Sequence, residues 1–353
     1  MAIASDVPLG SGLSSSASLE VAISVFLEQL LDIQMSGEDR ALLCQQAEHD
    51  FPHMPCGIMD QFISSCGVKG NLLLIDCRSN KGELVPMTDS SVSIIVCNSN
   101  KKHQLTGSEY PDRVKQCKEA VEKLQTKYPE VKALRDATVE QVESLKEEMG
   151  DVVYRRAIHV VSECQRCLDC KEALTAKDYK RVGQLLYQSH ESLKNNFEVS
   201  TPEIDTLVEI ASQQEGVFGA RITGGGFGGC IVCFVETEKA DVVMDALRVQ
   251  YQEKVGLECT LFVTSPAQGA RVIPAEGEKC DCGCKCEECE CKNGKECTCV
   301  ECDCSCKKEC DCGCKCEKCP IKRFMKKNGK WMGITTAVAA TAIVCMAIMR
   351  RKN

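Results

Sequence analysis

Apolar positions along this chain follow two different periods before the pattern stops altogether. Runs such as Leu72-Leu73-Leu74-Ile75 and Val92-Ser93-Ile94-Ile95-Val96-Cys97 are short and nearly continuous in apolar residues, which predicts strands. Helical periodicity extends over residues 112–128, 152–175 and 178–192. A further helix-periodic segment, Ser18-Leu19-Glu20-Val21-Ala22-Ile23, comes directly after a glycine- and serine-rich run, and Cys230-Ile231-Val232-Cys233-Phe234-Val235 reads as a buried strand. Together these predict an α+β protein over roughly residues 1–273, long enough for a sizeable core. Beyond that point neither period continues.

The run that opens the first helix is Pro8-Leu9-Gly10-Ser11-Gly12-Leu13-Ser14-Ser15-Ser16-Ala17. A loop of this composition at a helix start leaves backbone N–H groups free to meet a phosphate, because glycine lets the backbone approach an anion closely. The serines add hydroxyl donors and a candidate magnesium ligand. No Gly-Lys-Ser/Thr is present, so this is not a Walker phosphate loop. A flexible Gly/Ser linker would have the same composition. The rest of the chain separates the two readings. A second cluster, Thr223-Gly224-Gly225-Gly226-Phe227-Gly228-Gly229-Cys230, carries more glycines than a plain turn between strands needs.

Between the two clusters stands Cys56-Gly57-Ile58-Met59-Asp60-Gln61, preceded by Glu48 and His49. Further stretches are Asn98-Ser99-Asn100, Leu105-Thr106-Gly107-Ser108-Glu109-Tyr110, and Ser189-His190-Glu191-Ser192-Leu193 leading to Val199-Ser200. With these motifs the chain resembles the galactokinases, members of the GHMP small-molecule kinase family, over roughly residues 1–273. The resemblance implies a two-domain GHMP-kinase fold with an incomplete first domain, and phosphoryl transfer from ATP to the anomeric hydroxyl of galactose. It implies further that Gly10, Ser11, Gly12, Leu13, Ser14, Ser15 and Ser16 cradle the nucleotide phosphates together with Gly224, Gly225 and Gly226. Ser15 and Glu48 would hold Mg2+, Asp60 would act as base or charge partner of the sugar hydroxyl, and Gly57 and Tyr110 would also touch the sugar. Plainer roles exist for two of these: Glu48 as a solvated helix carboxylate and Tyr110 as an ordinary turn aromatic.

One departure accompanies the match. Galactokinases carry a segment of the Arg-Val-Asn-Leu-Ile-Gly-Glu-His-Thr-Asp-Tyr type, which brings an arginine beside the catalytic aspartate and most of the sugar-binding groups. No such segment stands in this chain. The expectation is an incomplete kinase with little turnover and an unpaired sheet edge, since charge stabilisation and substrate orientation are each worth several kcal/mol.

Composition changes the picture mainly through cysteine. A net charge of −8 argues against general nucleic-acid binding. Of the 29 cysteines, twelve are scattered before residue 260, among them Cys164, Cys167 and Cys170 at helical spacing, where free thiols are expected ahead of a metal site. No signal-peptide pattern opens the chain, so a reducing compartment and thiols are expected. Sixteen cysteines are packed together: Cys280, Cys282, Cys284, Cys286, Cys289, Cys291, Cys297, Cys299, Cys302, Cys304, Cys306, Cys310, Cys312, Cys314, Cys316 and Cys319. The spacing of Cys280 to Cys289 recurs from Cys310 to Cys319. A segment with almost nothing apolar to bury is expected to take its order from metal, and its composition resembles a metallothionein, implying Zn2+ or Cu+ on thiolates.

Past the cysteines, residues 331–349 carry no charge and are flanked by Lys326, Lys327, Lys330 and Arg350, Arg351, Lys352. As a helix the nineteen residues would span about 28 Å, against a bilayer core of roughly 30 Å. Trp331 and the basic flanks suit an interface. The expectation is a tail anchor in the mitochondrial outer membrane or endoplasmic reticulum, with the rest facing the cytoplasm. The predicted division is therefore 1–97 for the remnant of the first kinase domain and 98–273 for the second. A cysteine-rich segment, 274–320, and an anchor, 321–353, would come after them. The competing reading is a membrane-tethered thiolate metal-binding protein on a non-catalytic kinase scaffold.

Overall fold

The computed structural model describes residues 2–8, 10–101, 109–273 and 333–335. The glycine-serine run feeds α1 (Ser15–Leu31), and α2 (Gly37–Asp50) and α3 (Met59–Cys66) come after it. A hairpin of β1 (Asn71–Asp76) and β2 (Lys81–Pro86) comes next, then β3 (Val92–Asn98). The chain continues with four helices: α4 (Glu109–Gln125), the short α5 (Val139–Glu143), α6 (Lys146–Thr175) and α7 (Tyr179–Ser192). A π-helical turn (Leu193–Phe197) ends α7 and leads into α8 (Pro202–Ser212). The chain closes its sheet with β4 (Val217–Ile222), β5 (Cys230–Glu236), α9 (Ala240–Val255) and β6 (Thr260–Thr264).

The four-stranded antiparallel sheet has the order β4-β5-β3-β6. β5 is buried along six of its seven positions, as a strand covered on both faces must be. One face packs Ile95, Cys97, Ile231 and Cys233 against α8 and α9 through Ile204, Leu207, Val243 and Leu247. The other packs Ile94, Val96, Val232 and Phe234 against α6, α7 and Leu13 of the first glycine loop. α7 lies so close to β4 that a Cβ on Gly183 would stand 1.8 Å from the Phe218 carbonyl oxygen. The sheet unites both predicted kinase segments, since β3 comes from 1–97 but for its last residue, Asn98, and its two neighbours from 98–273.

The predicted helices and strands are present with shifted ends. α4 starts at Glu109, where Glu109 and Asp112 suit a helix N-terminus. α6 extends back to Lys146 but breaks at Gly150 (φ 71°), so the periodicity from residue 152 captures its second part. A separate compact unit contains β7 (Arg271–Ile273) paired antiparallel with β8 (Gly333–Thr335). Within 331–349 these three residues form a strand, which corrects the helix expected there: glycine disfavours helix, and the β-branched Ile334 and Thr335 accept a ladder. The remainder of that segment, and the whole cysteine-rich segment with its sixteen candidate ligands, lie outside the described residues. No helix among the described residues is long and apolar enough to cross a membrane.

Candidate active site

The first glycine loop is held by its own carbonyls and by one apolar anchor. The Ser11 hydroxyl donates to the Pro8 carbonyl at 2.8 Å, and the Cys230 thiol of β5 donates to the Ser11 carbonyl at 3.2 Å. Leu13 is buried in the core beneath the sheet. Gly10 and Gly12 take φ values of 67° and 76°, which favour glycine. Ser14 caps α1 in the left-handed region, yet its hydroxyl makes no bond to the helix amides. It donates instead to the Asp60 carboxylate. Ser15 and Ser16 form the first turn of α1, whose N-terminal amides thus have no side-chain cap and suit an anion.

The second glycine loop lies against the first. A Cβ on Gly224 (φ 77°) would stand 3.1 Å from the Gly12 carbonyl oxygen, whereas Gly225 faces open space. Gly226 (φ 87°) packs on Val199, and the Phe227 amide donates to the Val199 carbonyl at 2.6 Å. Ser99, at the end of β3, donates from both its amide and its hydroxyl to the Gly229 carbonyl at 2.9 and 2.8 Å. The turn is thereby fixed at both ends while its tip remains exposed.

Three helices bring carboxylates to the same place. An ion pair, Arg40 to Glu28 at 2.6 and 2.8 Å with Arg40 also donating to Ser65, ties α1, α2 and α3 together. Two turns along α1, Glu20 hydrogen-bonds Glu48 of α2 and accepts 3.1 Å from the buried Gln61 amide of α3. Burial, the Glu48 hydrogen bond and the charges of Glu48 and Asp60 push the Glu20 carboxyl up to about 8, so it is protonated at neutral pH. Burial also raises the Asp60 carboxyl, Glu48 adding to the shift and the Ser14 hydroxyl opposing it. The segment before Asp60 is pinned to α2 through the Cys56 carbonyl, 2.9 Å from His49 Nε2 and 3.1 Å from Gln45 Nε2. Gly57 has open space where a Cβ would be. Tyr110 is half-buried in the first turn of α4, the helix whose Arg113 overlies Phe227 at 5.7 Å.

The Glu20 and Glu48 carboxyls and the Ser15 hydroxyl offer hard oxygen donors, which suit Mg2+. Among the described residues no three His, Cys, Asp or Glu side chains are arranged to hold a metal by themselves. Cys164, Cys167 and Cys170 are free thiols whose pKa values burial raises, that of Cys164 to about 11 and that of Cys170 to about 12, in keeping with the thiols expected at that helical spacing. Two participants escaped the sequence reading, Glu20 and Cys230. Glu20 read as one more helix position and Cys230 as a strand residue; the only signal was their nearness to the two glycine runs.

A glycine-rich helix start with no side-chain cap, a second glycine turn touching it and a half-buried aspartate beside the first loop are the arrangement of a small-molecule kinase of the GHMP type. Residues 1–68 match the GHMP kinases N terminal domain and residues 170–253 the GHMP kinases C terminal. Human galactokinase is 46% identical over 271 residues, covering 77% of this chain and 67% of the relative; the bovine enzyme is 45% identical over the same length. A crystal structure of Lactococcus lactis galactokinase complexed with galactose superposes with a TM-score of 0.72 at 35% identity, covering 75% of this chain and 68% of that one. The chain belongs to the galactokinase family.

Proposed function

We propose that this chain transfers the γ-phosphoryl group of ATP to the anomeric hydroxyl of galactose, giving galactose 1-phosphate and ADP. The observation that carries the reading is the close approach of the two glycine loops, Gly224 against the Gly12 carbonyl, at the uncapped start of α1 with Asp60 beside Ser14. The galactokinase relatives support the choice of sugar.

In this reading the sugar oxygen forms a bond to the γ-phosphorus as the bond from that phosphorus to the ADP oxygen breaks. Asp60 accepts the hydroxyl proton, and its raised pKa makes it a better base than a solvated aspartate. The open amides of the first turn of α1 and the exposed tip of the second loop bind the phosphates, while Gly57 and Tyr110 contact the sugar. Mg2+, held by Ser15 and Glu48, would neutralise phosphate charge.

The test is galactose-dependent ADP release by the full chain beside Asp60→Asn. The substitution should lower turnover by about a hundredfold or more. ADP release that ignores galactose, or an unaffected variant, would refute the assignment.

The segments outside the described residues extend the reading on sequence alone. The sixteen clustered cysteines would hold Zn2+ or Cu+, which elemental analysis of the full chain would detect. The basic-flanked tail at residues 331–349, though not as one helix through 333–335, would hold the chain at an intracellular membrane with the kinase facing the cytoplasm, and co-sedimentation with lipid vesicles is the corresponding measurement.

A further inference from the structure

A dense group of charges braces the second glycine loop from behind. Arg156 is buried in the middle of α6 at 2% exposure, where an unpaired guanidinium would be very costly. Its Nε donates to the Gln116 side chain of α4 at 2.9 Å, and its terminal nitrogens donate to the Asn196 carbonyl and, at 2.5 Å, to the Glu198 carboxylate. Arg113 of α4 donates to the Phe197 carbonyl at 2.6 Å and the Glu198 carbonyl at 2.8 Å, and overlies the Phe227 ring. The backbone and carboxylate acceptors of both arginines thus fall on the π-helical turn or on the residue after it. A π turn is less favourable than α-helix and persists where the surroundings impose it. Glu198 itself has a φ of 54°, unusual for a residue with a side chain.

The next residue, Val199, forms the floor of the glycine loop. It receives the Phe227 amide and fills the space under Gly226, and Gly224 in turn meets Gly12 of the phosphate loop. A continuous set of contacts thus runs from Arg156 through Glu198 and Val199 to the turn that closes over the phosphate loop.

We propose that Arg156, Arg113 and Glu198 act as positioning residues that set the 224–226 turn against the phosphate loop, and so determine nucleotide affinity without touching the nucleotide. The proposal rests on that turn belonging to the ATP side of the site. The Gly57 and Asp60 part of the sugar side is held by α2 and α3 through contacts that do not involve these three residues, whereas Tyr110 shares α4 with Arg113 and Gln116, so Glu198→Gln is the variant that separates the two sides. Loss of the brace should therefore weaken ATP binding and leave the response to galactose in place.

The test uses the full chain with Mg2+, Arg156→Gln as the direct variant, and Arg113→Gln and Glu198→Gln as milder ones that expose less of the core. Titration calorimetry reads the ATP Kd, and steady-state kinetics read the two KM values separately. The expected result is ATP binding about tenfold weaker, with a raised KM for ATP and, in Glu198→Gln, an unchanged KM for galactose. A folded variant whose ATP Kd is unchanged, or a Glu198→Gln variant whose two KM values rise together, overturns the brace and leaves the kinase reading standing. A wild-type chain that binds no ATP overturns the kinase reading, and the brace with it.

Discussion

Acid should loosen this protein through one histidine in the same region. His159 of α6 is 5% exposed, stacks on Phe197 with ring centroids 4.5 Å apart, and lies 2.9 Å from the Ser192 hydroxyl through Nδ1. Burial lowers its pKa to about 4 from the ordinary 6.5; the Glu163 carboxylate opposes the shift, while Arg166, Arg221 and Arg156 reinforce it. In the unfolded chain the imidazole takes up its proton near pH 6.5, whereas the folded chain resists until about pH 4. The unfolded state therefore binds more protons between those values, and stability falls as pH is lowered through the window. The contribution is fully present above about pH 6.5 and amounts to about 3 kcal/mol, using about 1.4 kcal/mol for each tenfold change in proton affinity.

The assay compares Tm for wild type and His159→Gln across this range. Glutamine keeps a polar atom toward Ser192 and cannot take the proton. The wild type should lose about 6 °C more than the variant on going from about pH 7 to about pH 4.5. Taking the difference cancels the other titrating groups, including Glu20, whose raised pKa acts in the opposite direction. Parallel Tm curves for the two proteins would show that the imidazole is not held neutral by burial, and would refute the reasoning.

The packing supports two more expected outcomes. Glu20 already carries a proton at pH 7, so Glu20→Gln should leave Tm there unchanged, whereas Glu20→Ala removes the partner of Gln61 and Glu48 and should cost about 1–3 kcal/mol by urea unfolding. Gly183→Ala places a Cβ 1.8 Å from the Phe218 carbonyl oxygen, forcing α7 off β4; a loss of about 3 kcal/mol or more is expected in the same measurement, and a neutral result would rule out the close approach.

Local features were legible in the sequence because they are written in consecutive residues. The two glycine runs, the segment around Asp60 and the strands at residues 72–75, 92–97 and 230–235 stand where the pattern placed them. Pairings across long separations were not legible. Cys230 and Ser11 are 219 positions apart, Gln61 and Glu20 are 41 apart, and Arg156 reaches Glu198 over 42. Nothing in the periodicity of α6 marks Arg156 as buried, since a charged residue there reads as solvated surface until its partners are known. Ser14 is a mixed case: its place at the end of the first glycine loop, where a helix begins, was readable, but the turn of its hydroxyl toward Asp60 depends on where α3 packs.

The contacts that hold the site also explain how a rigid loop can remain receptive to an anion. A phosphate site works only if its backbone N–H groups are left without protein partners, yet a loop with none of its polar groups bonded would not keep one shape. Here the contacts that fix the glycine loops fall largely on carbonyls. Ser11 bonds the Pro8 carbonyl, Cys230 the Ser11 carbonyl, and Ser99 the Gly229 carbonyl twice. Leu13 adds apolar burial, which consumes no polar group. The Ser14 hydroxyl, the natural cap for the α1 amides, is turned to Asp60 instead. Acceptors are therefore satisfied by the protein while the donors at the start of α1 are left for the ligand. The same hydroxyl that leaves the helix start open also ties the phosphate loop to the carboxylate that would receive the proton.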